Sequence, residues 1–199
     1  MWRQQTPDAL LFDCDGTLAD TMPVHFVAWQ DLAEAHGLPF AEDRFYALAG
    51  RPTRDIIAAL AGEAGLAIDV EEATWRKEAN FLARLDGVLA IEPVVEVVRR
   101  SHGRRPMAVV TGGHREVCAR ILAHVGIADC FETLVASEDT DRHKPDPDPF
   151  LEAARRLGVR PERCVVWEDS DLGLEAARRA GMQWIDVRPL HPPRRLTAP

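Results

Sequence analysis

Short apolar runs of strand length punctuate the chain: Ala9 to Phe12, Met107 to Thr111, Thr133 to Ala136, Cys164 to Trp167 and Trp184 to Val187. Between the later runs the apolar period changes. Val117, Cys118, Ile121, Leu122 and Val125 recur at helical spacing and stop at Gly126, a natural C′ residue. Phe150, Leu151, Ala154 and Leu157 repeat the pattern up to Gly158, with Asp148 read as N-cap and Pro149 as first helical residue. A further helix covers Leu172 to Ala180 and ends at Gly181. Strands alternating with helices predict an α/β fold, a parallel sheet with helices on both faces.

The rhythm breaks after the first run. From residue 21 to 86 there are helix signals and no convincing strand. Met22, Phe26, Trp29, Leu32 and Ala33 form one apolar stripe that ends near Gly37. Ile56, Ile57 and Leu60 start another after Thr53, read as an N-cap. Trp75, Ala79, Leu82 and Leu85 mark a third. The block is expected to be a small helical domain inserted into a core made of residues 1–20 and 87–199. The Pro-rich tail from His191 is expected to be loosely ordered, and no role is assigned to it.

With 199 residues there is enough chain for one substantial core plus a small insertion. A net charge of −8 argues against a nucleic-acid surface, which needs a clustered basic face, and offers no match to anionic lipid. No apolar stretch reaches membrane-span length, and the N-terminus lacks the apolar segment of a signal peptide. Cys14, Cys118, Cys130 and Cys164 show no CxxC pairing and lie within or beside apolar runs. They read as core residues of a protein in a reducing compartment, and the cytoplasm is the expected location. An acidic chain that binds phosphate must use a local device: a metal, one lysine or oriented N–H groups.

The first apolar run stops abruptly at such a place. In LLFDCDGTLAD, Asp13 and Asp15 are two residues apart, so they share one face while Cys14 turns into packing. In open parallel sheets ligands bind beyond the carboxyl ends of the strands. The other strand ends carry Thr111-Gly112-Gly113, then Lys144 among prolines in HKPDPDPF, then Glu168-Asp169-Ser170. Carboxylates crowded at one site repel, and a hard divalent cation relieves them; oxygen-only ligands suit Mg²⁺. A carboxylate can approach a phosphate dianion once the metal and a lysine offset the charge. One acid then attacks while its neighbour carries the proton. Thr111 has a second reading, as a helix N-cap, and Asp148 is explained by capping.

Four segments in order, DCDGT, VVTGG, HKPDPDPF and WEDSDLGLEAARRAGM, resemble the signature segments of the haloacid dehalogenase (HAD) superfamily phosphatases, over about Asp8 to Leu190. The segment DTMPVHFVAWQDLAEAHGL is similar to the start of the helical cap of the β-phosphoglucomutase-like subgroup. The resemblance implies a Rossmann-like three-layer α/β/α core with a mobile cap. It makes Asp13 the nucleophile and Asp15 the general acid/base, whose backbone carbonyl also binds Mg²⁺. It gives Thr111, Gly112 and Lys144 to the phosphoryl oxygens, Asp169 to the metal, and Glu168 to it directly or through water. His25 is either a half-buried residue at the cap–core seam or part of a proton relay. Gly50, Arg51, Thr53 and Arg54 are the candidate specificity loop.

Within the subgroup, SHGRRPMAV and AGRPT resemble bacterial phosphatases of fructose 1-phosphate and 6-phosphogluconate. The mutases usually carry a lysine just before the glycine matching Gly50 and an arginine three residues after it; here those places hold Ala49 and Thr53. The expectation is therefore hydrolysis of a small phosphorylated sugar or sugar acid by a monomer. The alternatives are a sugar phosphate mutase, a 2-haloacid dehalogenase, which has no use for an acid at Asp15, and a non-catalytic binding protein, which would have lost Asp13 or Lys144.

Overall fold

A computed structural model of the protein describes residues 6–196. Its five strands are β1 (Ala9–Phe12), β2 (Met107–Val110), β3 (Thr133–Val135), β4 (Cys164–Glu168) and β5 (Gln183–Asp186). They form one sheet in the order β3-β2-β1-β4-β5. Every pairing is parallel, with Phe12 opposite Val109 on one side and Trp167 on the other. β1 is central, and its four residues are buried on both faces. That is why it reads as an unbroken apolar run rather than an alternation.

The helices are α1 (Met22–His36), α2 (Glu42–Ala47), α3 (Thr53–Ala64), α4 (Val70–Leu82), α5 (Glu92–Ser101), α6 (Arg115–His124), α7 (Asp148–Leu157) and α8 (Asp171–Arg179). On one face of the sheet, Leu10, Phe12, Met107, Val109, Val165 and Trp167 pack with valines of α5 and with Val117 and Ile121 of α6. Phe12 stacks on Trp167 at 5.9 Å. On the other face, Ala9, Leu11, Ala108, Val110, Cys164 and Val166 meet Phe150 and Ala153 of α7 and Ala176 and Ala177 of α8. The small residues on that side let the helices lie close. Burying each large apolar side chain contributes about 1.5–3 kcal/mol. The expected three-layer architecture is the one observed.

Helices α1–α4 lie between β1 and α5 in the chain. They enclose an apolar cluster of their own, from Met22, Phe26 and Trp29 to Phe45, Ile57, Leu60 and Ala73. Ala28 and Phe81, by contrast, pack into the cluster on the sheet.

Four local expectations need correction. Asp148 does not cap α7: it is the first helical residue after Pro147, and its carboxylate takes hydrogen bonds from Arg142 at 2.8 and 3.1 Å. Thr53 does not cap α3 either, because its hydroxyl is drawn to a buried carboxylate elsewhere. In α4 the expected stripe is out of phase. Trp75 is 50% exposed, and the buried face is Ala73, Thr74, Lys77, Glu78 and Phe81.

The tail is the fourth correction. Within the described residues it is tied across α2: Tyr46 Oη donates to the Arg194 carbonyl at 2.7 Å, and Leu196 N–H to Glu42 Oε1 at 2.7 Å. Arg195 pairs with Asp43, and Arg194 with the buried Asp20 at 2.9 Å. The residues beyond Leu196 lie outside the described range. No helix among the described residues is long and apolar enough to cross a membrane.

Candidate active site

Parallel strands deliver their carboxyl ends to one edge of the sheet, and β1, β2 and β4 bring their polar termini together there. Asp13 N–H still donates to the Trp167 carbonyl at 3.0 Å, so the ladder holds its backbone in place. Cys14 then turns inward, fully buried, and its carbonyl accepts from Leu18 and Ala19 N–H in a tight turn. Asp13 and Asp15 thereby face the same cleft.

Lys144, from the loop between β3 and α7, is 3% exposed. Its ammonium donates to Asp13 Oδ1 at 2.6 Å, Glu168 Oε2 at 2.8 Å and the Val110 carbonyl at 3.1 Å. All three of its protons are used. Burial alone would favour the neutral amine, but the two carboxylates outweigh it and hold the lysine charged. Glu168 Oε1 accepts from Asp169 N–H, Ser170 N–H and Ser170 Oγ at 2.9–3.1 Å. Ser170 Oγ in turn accepts from Gly173 N–H at 3.0 Å and caps α8. A Cβ on Gly173 would fall 1.9 Å from Glu168 Oε2, so only glycine leaves room for this carboxylate over the first turn of α8. Gly16 clears space for Asp169 in the same way, at 2.2 Å from Oδ2, and Thr17 Oγ1 donates to Asp169 Oδ1 at 3.3 Å.

Asp13, Glu168 and Asp169 each offer an oxygen within 4.8 Å of the others. Desolvation and the Glu168 charge push Asp13 up to about 8 despite Lys144, and the same causes push Asp169 well above the carboxylate range. The site therefore carries more negative charge than one lysine offsets. An oxygen-only donor set in that state fits a hard divalent cation such as Mg²⁺.

Asp15 is held in a different way. Its Oδ1 accepts from Thr21 Oγ1 at 2.7 Å and from His25 Nε2 at 3.1 Å, and its Oδ2 takes a longer contact from Thr111 Oγ1 at 3.4 Å. Burial alone would raise it, but His25, Thr21 and Lys77 outweigh that and hold it at about 2. Thr111 does not cap α6; its hydroxyl accepts from Gly113 N–H at 2.9 Å.

Behind Asp15 runs a chain of buried polar groups. Lys77 Nζ donates to His25 Nδ1 at 2.8 Å and to Glu78 Oε1 at 3.1 Å, and Thr53 Oγ1 donates to the same oxygen at 2.6 Å. The lysine proton on Nδ1 makes Nε2 the donor toward Asp15, which fixes the His25 tautomer. The imidazole stacks on Phe81 at 3.8 Å, and the Lys77 ammonium lies over the Trp29 and Phe81 rings at 5.4 and 5.8 Å. Sequence reading missed Lys77 and Glu78, and also Thr21 and Ser170. One signal was available. The chain has two lysines, Lys77 and Lys144, and both are almost wholly buried in this region.

The loop between α2 and α3 closes over the cleft. A Cβ on Gly112 would lie 2.4 Å from the Gly50 carbonyl oxygen, and one on Gly50 would lie 3.1 Å from Ser170 Oγ. Trp75 stacks on His114 at 5.3 Å across the same seam. Gly50, Arg51 and Thr53 line the cleft. Arg54 is exposed at the start of α3 and is not among the residues that line the cleft. The cleft is partly open to solvent, with a cavity volume of about 70 Å³.

Comparisons with known proteins agree with this geometry. The profile of the haloacid dehalogenase-like hydrolases matches residues 7–181. The chain is 43% identical over 180 residues to the fructose-1-phosphate phosphatase YqaB of Escherichia coli, covering 90% of this chain and 95% of that one. Its fold superposes on CbbY from Rhodobacter sphaeroides, solved with phosphate, with a TM-score of 0.82, 25% identity and coverage of 91% and 86%. It superposes on β-phosphoglucomutase from Clostridium difficile with a TM-score of 0.80 at 21% identity, covering 91% and 84%, a likeness of fold alone. The chain belongs to the haloacid dehalogenase-like hydrolases and is a phosphatase of that family.

Proposed function

We propose that the protein hydrolyses a small sugar or sugar-acid phosphate, of the fructose 1-phosphate or 6-phosphogluconate type, through an aspartyl-phosphate on Asp13 in a Mg²⁺-dependent reaction. The observation that carries this reading is the Lys144 ammonium wedged between Asp13 and Glu168 at 2.6 and 2.8 Å beside a three-carboxylate cluster. The name of the Escherichia coli relative supports the substrate class.

An Asp13 oxygen attacks phosphorus, the ester P–O bond breaks, and Asp15 gives its proton to the departing alkoxide. Asp15, again a carboxylate, then takes a proton from water as that water attacks the acyl phosphate and frees Asp13. In the closed cleft Asp15 is ionised, the state the second half needs. The first half needs a proton on it: as the phosphoryl charge arrives and raises the Asp15 pKa, His25 passes its Nε2 proton to Asp15 across 3.1 Å while Lys77 passes one to Nδ1, and the proton later taken from water returns by the same path. Lys144, Thr111 Oγ1 and the Gly112 backbone hold the phosphoryl oxygens. Asp13, Glu168 and Asp169 would hold Mg²⁺, which when bound offsets the charge of the carboxylates and the phosphoryl group.

Helices α1–α4, approximately residues 21 to 86, act as the cap. The cleft is lined by residues of these helices and of the strand ends, so swinging the helices away would open it to substrate, which fits a monomer. Three buried cysteines and one half-buried one, all free, suit the cytoplasm. A mutase would need groups for a second phosphate. Thr53 is instead committed to Glu78, and Arg54 is exposed outside the cleft lining. Hydrolysis is favoured accordingly.

The test is phosphate release from Asp13→Asn beside wild type. The variant is expected to keep its melting temperature and lose turnover, and EDTA is expected to silence wild type until Mg²⁺ is returned. Normal release from the variant refutes the nucleophile.

A further inference from the structure

Glu78 is 2% exposed and belongs to the cleft lining. Its two oxygens differ. Oε1 takes both hydrogen bonds, from Thr53 at 2.6 Å and Lys77 at 3.1 Å, whereas Oε2 is buried with no hydrogen-bond partner among the described residues. A buried carboxylate oxygen without a donor is left with an uncompensated loss of hydration, so a native site that keeps one calls for an explanation. The group is ionised: desolvation would raise its pKa, but Lys77, His25 and the two hydrogen bonds hold it below the ordinary range. The Lys77 ammonium pairs with Oε1 and is otherwise engaged by His25 and the faces of Trp29 and Phe81, so Oε2 is the side of the carboxylate left without a donor. Arg51, another cation of the loop, lines both this cleft and the neighbouring groove at the Lys144 loop.

We propose that Glu78 Oε2 is the acceptor for a substrate hydroxyl, and that it selects a polyhydroxy monophosphate with an uncharged far end over a sugar acid or a sugar bisphosphate. The inference rests on the phosphatase reading above and narrows it. A sugar hydroxyl supplies the donor that Oε2 lacks. A carboxylate or second phosphate would place like charge against a buried carboxylate, the kind of mismatch by which sites reject competitors. Fructose 1-phosphate has the favoured chemistry and 6-phosphogluconate the disfavoured one.

The experiment measures kcat/KM for these two esters on wild type, Glu78→Gln and Thr53→Val. Wild type is expected to favour fructose 1-phosphate by about tenfold or more. Glu78→Gln keeps an oxygen acceptor and drops the charge, so the ratio is expected to shrink about tenfold, chiefly through KM for 6-phosphogluconate. Thr53→Val leaves the charge in place and is expected to keep the wild-type ratio even where both rates fall. Because both esters are assayed on the same enzyme, a loss of folded protein cancels in the ratio. A ratio unchanged in Glu78→Gln, one that moves equally in Thr53→Val, or a wild type that favours 6-phosphogluconate overturns the assignment. Failure of wild type to release phosphate from either ester overturns the phosphatase reading with it, and is seen before any variant is made.

Discussion

Gly112→Ala isolates closure of the cap from stability of the core. The new Cβ would sit 2.4 Å from the Gly50 carbonyl oxygen, 3.0 Å from its carbonyl carbon and 3.3 Å from the Arg51 carbonyl carbon. An ordinary carbon–oxygen contact is about 3.3 Å, so the loop must retreat by nearly 1 Å. All three atoms are backbone, and none can rotate aside. Overpacking of this kind costs about 1–3 kcal/mol, which lowers the population of the closed arrangement about 5- to 150-fold. Gly112 itself is not among the glycines with left-handed backbone, so alanine suits its backbone and even restricts the unfolded chain slightly. The assay pairs kcat/KM for fructose 1-phosphate with a thermal melt. The expected result is a fall in kcat/KM within that range at an unchanged melting temperature. A melting temperature that falls in proportion would mean that the loop is part of one rigid body. Unchanged activity would mean that the closed arrangement is not the reactive one.

Two further outcomes are expected. Without metal, Asp13 is raised to about 8 in the folded protein against about 3.9 unfolded, so the folded state holds the extra proton between those values. Stability of the EDTA-treated protein therefore falls as pH rises from 5.5 to 8, by up to about 1.4 kcal/mol per unit. Mg²⁺ raises the melting temperature more at pH 8 than at pH 5.5, and an equal shift at both would contradict the charge balance drawn for the cluster. Ending the chain at Leu190 removes the Arg194–Asp20 and Arg195–Asp43 pairs and the Tyr46 and Glu42 bonds. Exposed pairs contribute little, but Asp20 is buried and loses Arg194, so a drop of about 1–3 kcal/mol is expected. A truncated protein that melts with the full chain would show that the tail holds nothing.

What the sequence disclosed and what it hid divide along a physical line. The strand ends were legible because a parallel sheet sends every carboxyl end to one edge. An apolar run that stops at Asp13, Thr111 or Glu168 therefore states where its side chain goes. Gly126 and Gly158 ended their helices as read, with left-handed backbone. The second half of the site was hidden because apolar periodicity finds only apolar faces. The face of α4 that turns inward carries Lys77 and Glu78, so the stripe of Trp75, Ala79 and Leu82 looked the better choice. Thr53 was read by its nearest neighbours as a cap, yet its partner is 25 residues away. The tail met its partner across 152 residues in the Arg195–Asp43 pair, a separation no local pattern reports.

The central claim is that the phosphoryl group passes through the carboxylate of Asp13 before it meets water. The stereochemical course at phosphorus tests this without requiring the intermediate to accumulate. A substrate ester made chiral with oxygen isotopes and one sulfur is hydrolysed in isotopically labelled water, and the configuration of the released thiophosphate is read. Two in-line displacements predict net retention. Net inversion would mean that water attacks the ester directly, and Asp13 would lose its role as nucleophile.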